Sequence, residues 1–96
     1  GDVIMKKADL INAIDETYKD EEVKKNPDIR EFLLKFAQQL SEGRDVGLIS
    51  VKLSNAITDY SLKNDFIIPK ALSDLYAIAA KNAEKYRGIM STNIWL

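Results

Sequence analysis

From Pro69 to Arg87 the apolar residues Leu72, Leu75, Tyr76, Ala79, Ala83 and Tyr86 recur at steps of three and four. That period marks one face of an α-helix, and such a face must be buried against other elements. Pro69 suits the first turn, where its missing N–H would have no partner and its φ is already helical. Lys70, Ser73, Asp74, Lys81, Glu84 and Lys85 fall mainly off the stripe, while Ala79, Ala80 and Ala83 allow a neighbouring helix to come close. Lys85 and Arg87 favour the dipole of a last turn, and Gly88 predicts a stop. The remaining residues, 88–96, carry no charge and include the chain's sole tryptophan, Trp95.

Three further helices are expected upstream. Asp2 is a candidate cap for a helix over about 3–19, with Ile4, Ala8, Ile11, Ile14 and Tyr18 as its buried stripe, widened by Val3 and Leu10. The segment Asp20 to Lys25 is nearly all charge and reads as a solvated connector. Asn26-Pro27-Asp28 is a helix start with an N-cap, a proline at the first position and an acid in the first turn. The helix it opens, about 27–42, has the stripe Ile29, Phe32, Leu33, Phe36, Ala37 and Leu40, with Phe32 and Phe36 as its bulkiest members and Gly43 as its end.

Asp45 opens a helix over about 45–63 through Val46, Ile49, Leu53, Ala56, Ile57 and Tyr60. The alternation around Val51 imitates a strand, but the helical period holds for four turns. Gly47 is out of place in a first turn, where it costs up to ~1 kcal/mol relative to alanine, and a close packing contact would explain it. Lys63-Asn64-Asp65 breaks the helix. Phe66, Ile67 and Ile68 are then expected to plug the end of the core or to staple the helix that begins at Pro69. Four amphipathic helices with short connectors predict one all-α domain, an antiparallel up-and-down four-helix bundle with a short C-terminal tail.

The 96 residues suffice for a core without staples, since a chain of this size buries roughly 65% of its unfolded surface. Apolar residues at 46% and charged residues at 30% suit a compact soluble chain. The absence of cysteine removes disulfides and thiolate metal sites. A net charge of −1 argues against nucleic acid as a partner. It is unevenly spread: residues 1–42 hold 7 Lys/Arg against 10 Asp/Glu, and residues 43–96 hold 7 against 5. No apolar run reaches the ~20 residues of a membrane span, and no leader peptide is visible.

Chemistry is hard to find. The lack of histidine rules out Ser-His and Cys-His nucleophile systems, His-containing zinc sites and the Glu-x-x-His di-iron motif. The glycines form no phosphate-binding loop, and the carboxylate runs Asp15-Glu16 and Asp20-Glu21-Glu22 resemble solvated faces. The expectation is no enzyme, no cofactor and no metal. Candidate partner-binding residues are Lys85, Tyr86 and Arg87 at the helix end and Ile89, Met90, Ile94 and Trp95 beyond it. For the tail two readings stand: its apolar side chains fold back onto the bundle, or they form an adaptable contact for a protein partner or a membrane interface.

The stretch from Asn26 to Ile89 resembles the immunity proteins of pediocin-like (class IIa) bacteriocins, especially the enterocin A immunity subgroup. The likeness rests on the Asn26-Pro27 helix start, the helix ending near Tyr60, the turn from Asn64 to Pro69, and the final helix closing on Tyr86-Arg87-Gly88. The resemblance implies a cytoplasmic four-helix bundle, transiently at the inner face of the cell membrane, that protects a producing cell without destroying the toxin. The implied partner is the mannose phosphotransferase permease, a membrane-embedded sugar permease and the bacteriocin's receptor, engaged alone or with its bacteriocin. It places specificity in the C-terminal half, here Asp45 to Leu96. A monomer is expected. An alternative is a small helical adaptor or regulatory domain that grips a partner helix between its last two helices.

Overall fold

The computed structural model describes the backbone of residues 4–95 and the side chains of residues 4–89. It is all-helical, with α1 (Lys7–Tyr18), α2 (Glu21–Lys24), α3 (Pro27–Ser41), α4 (Val46–Lys63) and α5 (Lys70–Trp95). The caps foreseen from sequence operate. The Asn26 side chain accepts the Ile29 N–H at 3.1 Å, and that of Asp45 accepts the Leu48 N–H at 2.9 Å. Each satisfies one of the first-turn donors that a helix leaves unpaired. Gly43, at φ +93°, closes α3. Its N–H reaches the Leu40 carbonyl and that of Arg44 the Gln39 carbonyl, the paired bonds of a Schellman cap.

One core runs through all five helices: Leu10 and Ile14 of α1, Val23 of α2, Ile29, Leu33, Phe36 and Leu40 of α3, Ile49, Leu53 and Ile57 of α4, and Leu72, Leu75 and Ala79 of α5. Phe32 sits at its margin, its ring tilted against Tyr60 with centroids 6.3 Å apart. The most extensive helix pairing is α4 with α5; α1 packs on α3 and α5, and α3 on α4. Gly47 lies against Tyr86 and Ser50 against Asn82, so α4 and α5 run antiparallel.

Two features lock that pair. A Cβ built on Gly47 would come within 2.0 Å of Cδ1 of the Tyr86 ring, so only glycine admits the ring there. One helical turn further along α4, the buried Asn82 amide donates to Ser50 Oγ at 2.7 Å and accepts the Met5 N–H at 2.9 Å. Ser50 in turn donates to the Val46 carbonyl, which leaves this buried polar chain satisfied.

Several expectations fail here for identifiable reasons. Helix α1 begins at Lys7, not near residue 3: Lys6 is still extended, at φ −72° and ψ 151°, and Met5 before it gives its backbone N–H to Asn82. Ala8 is consequently exposed, and α1 turns Leu10, Ile14 and Thr17 inward. Asp2 and Val3 lie outside the described residues. The charged segment after Tyr18 is no mere connector. Asp20 caps a single helical turn by accepting from Glu22 and Val23, and that turn seals Val23 into the core. Tyr76 is 40% exposed although it falls on the expected stripe.

Gly47→Ala should destabilise the protein by about 1–3 kcal/mol, the usual range for overpacking, in urea-induced unfolding. Combined with Tyr86→Ala, its own cost should shrink towards zero, whereas an unchanged cost would mean that the ring is not what Gly47 accommodates.

Candidate functional site

The seven residues singled out at the end of the chain all lie on α5, which continues as helix through Gly88 to Trp95. Gly88 is therefore not a stop. A glycine ends a helix when it turns left-handed and the following N–H groups bond back, as at Gly43; here the chain simply keeps its helical bonds. A Cβ on Gly88 would meet nothing within 4 Å. Of the candidates, Tyr86 is half-buried with its ring over Gly47, and Lys85 is half-buried beside it. Arg87 is exposed, as is Ile89 at 43%. The side chains of Met90, Ile94 and Trp95 lie outside the described residues, so neither reading of the tail is decided. Leu48, adjacent to Gly47, adds a partly exposed apolar side chain at this end of α4.

A second exposed apolar region was not anticipated. The turn between α4 and α5 presents Phe66 at 70% and Ile67 at 81% exposure, with Leu62 at 59% beside it. Only Ile68 packs on the core. The turn is built rather than loose. The Phe66 N–H donates to the Ser61 carbonyl at 2.8 Å and the Ile67 N–H to the Asn64 carbonyl at 2.9 Å. The Asn64 side chain donates to the Tyr60 carbonyl at 2.8 Å. To make these bonds Asp65 and Phe66 both take positive φ, 55° and 62°. Asp tolerates that region; for a bulky residue such as phenylalanine it is an outlier, of the kind that costs on the order of 1–3 kcal/mol.

Of the three residues expected to plug the core end or staple the next helix, Ile68 packs on the core, whereas Phe66 and Ile67 do not. The signal was in the sequence, three large apolar residues before a proline, but burial was inferred from hydrophobicity alone. Asp65 and Phe66 are both left-handed in this turn, and the Phe66 and Ile67 side chains face outward from it. Beside the turn, a shallow groove of about 250 Å³ between α4 and α5 is lined by Ile57, Thr58, Ser61, Phe66, Ile68, Ser73 and Tyr76. None of the seven is charged, in a chain where 30% of residues are.

Nothing in the described part suggests a reaction centre. No group of three or more His, Cys, Asp or Glu residues among the described residues could hold a metal ion. The Lys19 ammonium is held above its ordinary pKa by its hydrogen bond to Asp15 and by the charges of Asp15 and Glu16, a surface ion pair on α1. Hydroxyls such as Ser50, Ser54 and Ser61 bond to carbonyls of their own helix. No helix is long and apolar enough to cross a membrane among the described residues.

The scaffold is thus all-helical among the described residues and leaves apolar side chains exposed on α4, on α5 and on the turn between them. The model of the bacteriocin immunity protein family matches residues 5–84, and the chain belongs to that family. The hiracin-JM79 immunity factor of Enterococcus hirae is 39% identical over 90 residues, covering 94% of this chain and 95% of that protein. No solved structure matches the chain. The family match takes in the α4–α5 turn and ends before Lys85, so all seven candidate residues of the C-terminal stretch fall beyond it.

The continuous helix through Gly88 can be tested by sign. Gly88→Ala should raise stability by up to ~1 kcal/mol, because alanine is the better helix former. Gly43→Ala should lower it, because φ +93° strains any L side chain. A loss at both sites in thermal unfolding would contradict the helical assignment of Gly88.

Proposed function

We propose that this immunity protein acts by recognition alone: from the cytoplasm it engages the toxin-bound mannose phosphotransferase permease and blocks the pore, leaving the bacteriocin chemically intact. The observation that carries this reading is the family match across residues 5–84, joined to the resemblance to the pediocin-like subgroup, whose target is that permease. The near relative in Enterococcus hirae is named for immunity to one bacteriocin, hiracin-JM79, which supports a narrow target range here too. The hydrophobic side chains exposed among the described residues suit a binding surface.

In this reading α1, α3, α4 and α5 form an antiparallel up-and-down four-helix bundle. Support comes from the ring of contacts in which α1 meets α3, α3 meets α4, α4 meets α5 and α5 returns to α1. The protein works as a cytoplasmic monomer that visits the inner face of the membrane, with its contact surface on the α4–α5 half. Lys85, Tyr86, Arg87, Ile89, Met90, Ile94 and Trp95 contribute from the far end of α5. Tyr86 does so chiefly by fixing α5 on α4 through Gly47. A second reading, an adaptor that grips a partner helix, draws on the uncharged groove beside Tyr76.

The test is protection. Expressed in a sensitive strain, the chain should confer resistance to one or a few pediocin-like bacteriocins from a broad panel. Exchange of residues 45–96 with those of a relative should transfer that range. A folded, abundant protein that protects against none of them would reject the immunity mechanism and favour the adaptor.

A further inference from the structure

Where α5 leaves the bundle, its buried side chains are small or polar. Ala79 and Ala83 are wholly buried, and the α4 residues at this end of the seam, Gly47 and Ser50, are equally small. Such surfaces let two helices lie close but interlock poorly, since side chains entering grooves are what fix one helix against another. Directional contacts take over here, among them the Tyr86 ring over Gly47 and the hydrogen bonds of the Asn82 side chain.

Asn82 is 4% exposed and joins three parts of the chain. Its Nδ2 donates to Ser50 Oγ on α4 at 2.7 Å, and its Oδ1 accepts the Met5 N–H at 2.9 Å from the segment ahead of α1. Ser50 is itself fixed, because its hydroxyl donates to the Val46 carbonyl at 2.8 Å. Two bonds from opposite corners of one planar amide restrict how α5 rotates about its axis as well as how it slides. A rotated α5 would bury that donor and acceptor without partners, a penalty that alanine contacts alone do not impose. Tyr86 follows one turn later, and Arg87 and Ile89, the described side chains beyond it, are both exposed. The helix continues through Trp95, about 13 Å past Tyr86 at 1.5 Å per residue. The setting of α5 at Asn82 is carried to that end.

We propose that Asn82 is a positioning residue for recognition: through Ser50 and the Met5 N–H it sets the direction and rotation in which α5 presents Lys85, Arg87 and Ile89 to the target. Being buried, Asn82 acts only through the helix that carries it. The proposal rests on the reading that the far end of α5 makes contact with the target. To that reading it adds a part for the N-terminal segment, whose Met5 N–H holds one corner of the amide.

The chain has no cysteine, so spin labels on Glu31→Cys in α3 and Gly88→Cys in α5 report the distance from the bundle to the end of α5. That distance is measured in the full chain and in Asn82→Ala, Ser50→Ala, Met5→Ala and Met5→Pro backgrounds. Protection in a sensitive strain is scored for the same substitutions without labels. The control is a core truncation on α3, Leu33→Ala or Ile29→Val, whichever matches the melting temperature of Asn82→Ala. Both Met5 variants lose the side chain, but only proline also loses the N–H, so their difference isolates that bond. Asn82→Ala, Ser50→Ala and Met5→Pro should shift or broaden the distance distribution and lower protection several-fold. Met5→Ala and the α3 control should keep the native distance and the native protection. Where Asn82→Ala fails to fold, Ser50→Ala and Met5→Pro decide. A native distance in the folded variants overturns the proposal, and so does an equal change in the α3 control. An altered distance with full protection takes the end of α5 out of the contact surface: the recognition reading then fails, while Asn82 still positions the helix.

Discussion

The close approach of α5 to α4 sets the rest of the structure. It depends on an absent atom: without a Cβ at Gly47, the Tyr86 ring settles against the α4 backbone. One turn away, Asn82 reaches Ser50 across the same seam and binds the N-terminal segment through the Met5 N–H. Leu53, Ile57, Leu72, Leu75 and Ala79 then bury themselves in register along the pair. The aromatic contact and the amide network are complementary. The first permits the short separation and the second allows only one alignment, since a shifted α5 would bury the Asn82 amide without partners. That geometry fixes what lies at the two ends of the pair: the exposed α4–α5 turn at one, and Leu48 with Ile89 at the other, about 25 Å away at 1.5 Å per residue of helix.

Where a sequence signal is local, it was legible. Asn26-Pro27 and Asp45 announce helix starts because a side-chain oxygen and the donor it satisfies lie three residues apart. The stripe of α3 was complete because every one of its inward residues is apolar. The oddity of Gly47 pointed to a close contact, though not to Tyr86 as the neighbour. What failed depended on distant partners. Nothing near Met5 signals that an asparagine 77 positions later takes its N–H. Val23 hid in a run of charges because a single helical turn shows no period. Gly88 was read as a stop from its identity, when the conformation that makes a stop is left-handed and Gly88 keeps to the helix. Hydrophobicity suggests that Phe66 and Ile67 plug the core end or staple the last helix, and nothing in the local sequence shows that they face outward.

These features distribute roles over the molecule. The acidic half, α1 to α3, supplies half of the core and mostly charged outer faces. The α4–α5 half carries the uncharged groove, the strained turn and the C-terminal helical extension. The family match reaches across the first of these halves and through the α4–α5 turn, then ends at residue 84.

Recognition without chemistry is the centre of this account, and it can be measured in one experiment. The tagged protein is isolated from detergent-solubilised membranes of protected cells, with and without the bacteriocin it counters, and the eluate is examined for the permease and for the mass of the peptide. The account predicts that the permease co-purifies only when toxin is present and that the peptide is recovered at its unmodified mass. A cleaved or modified peptide, or protection with no permease in the eluate under either condition, would contradict it.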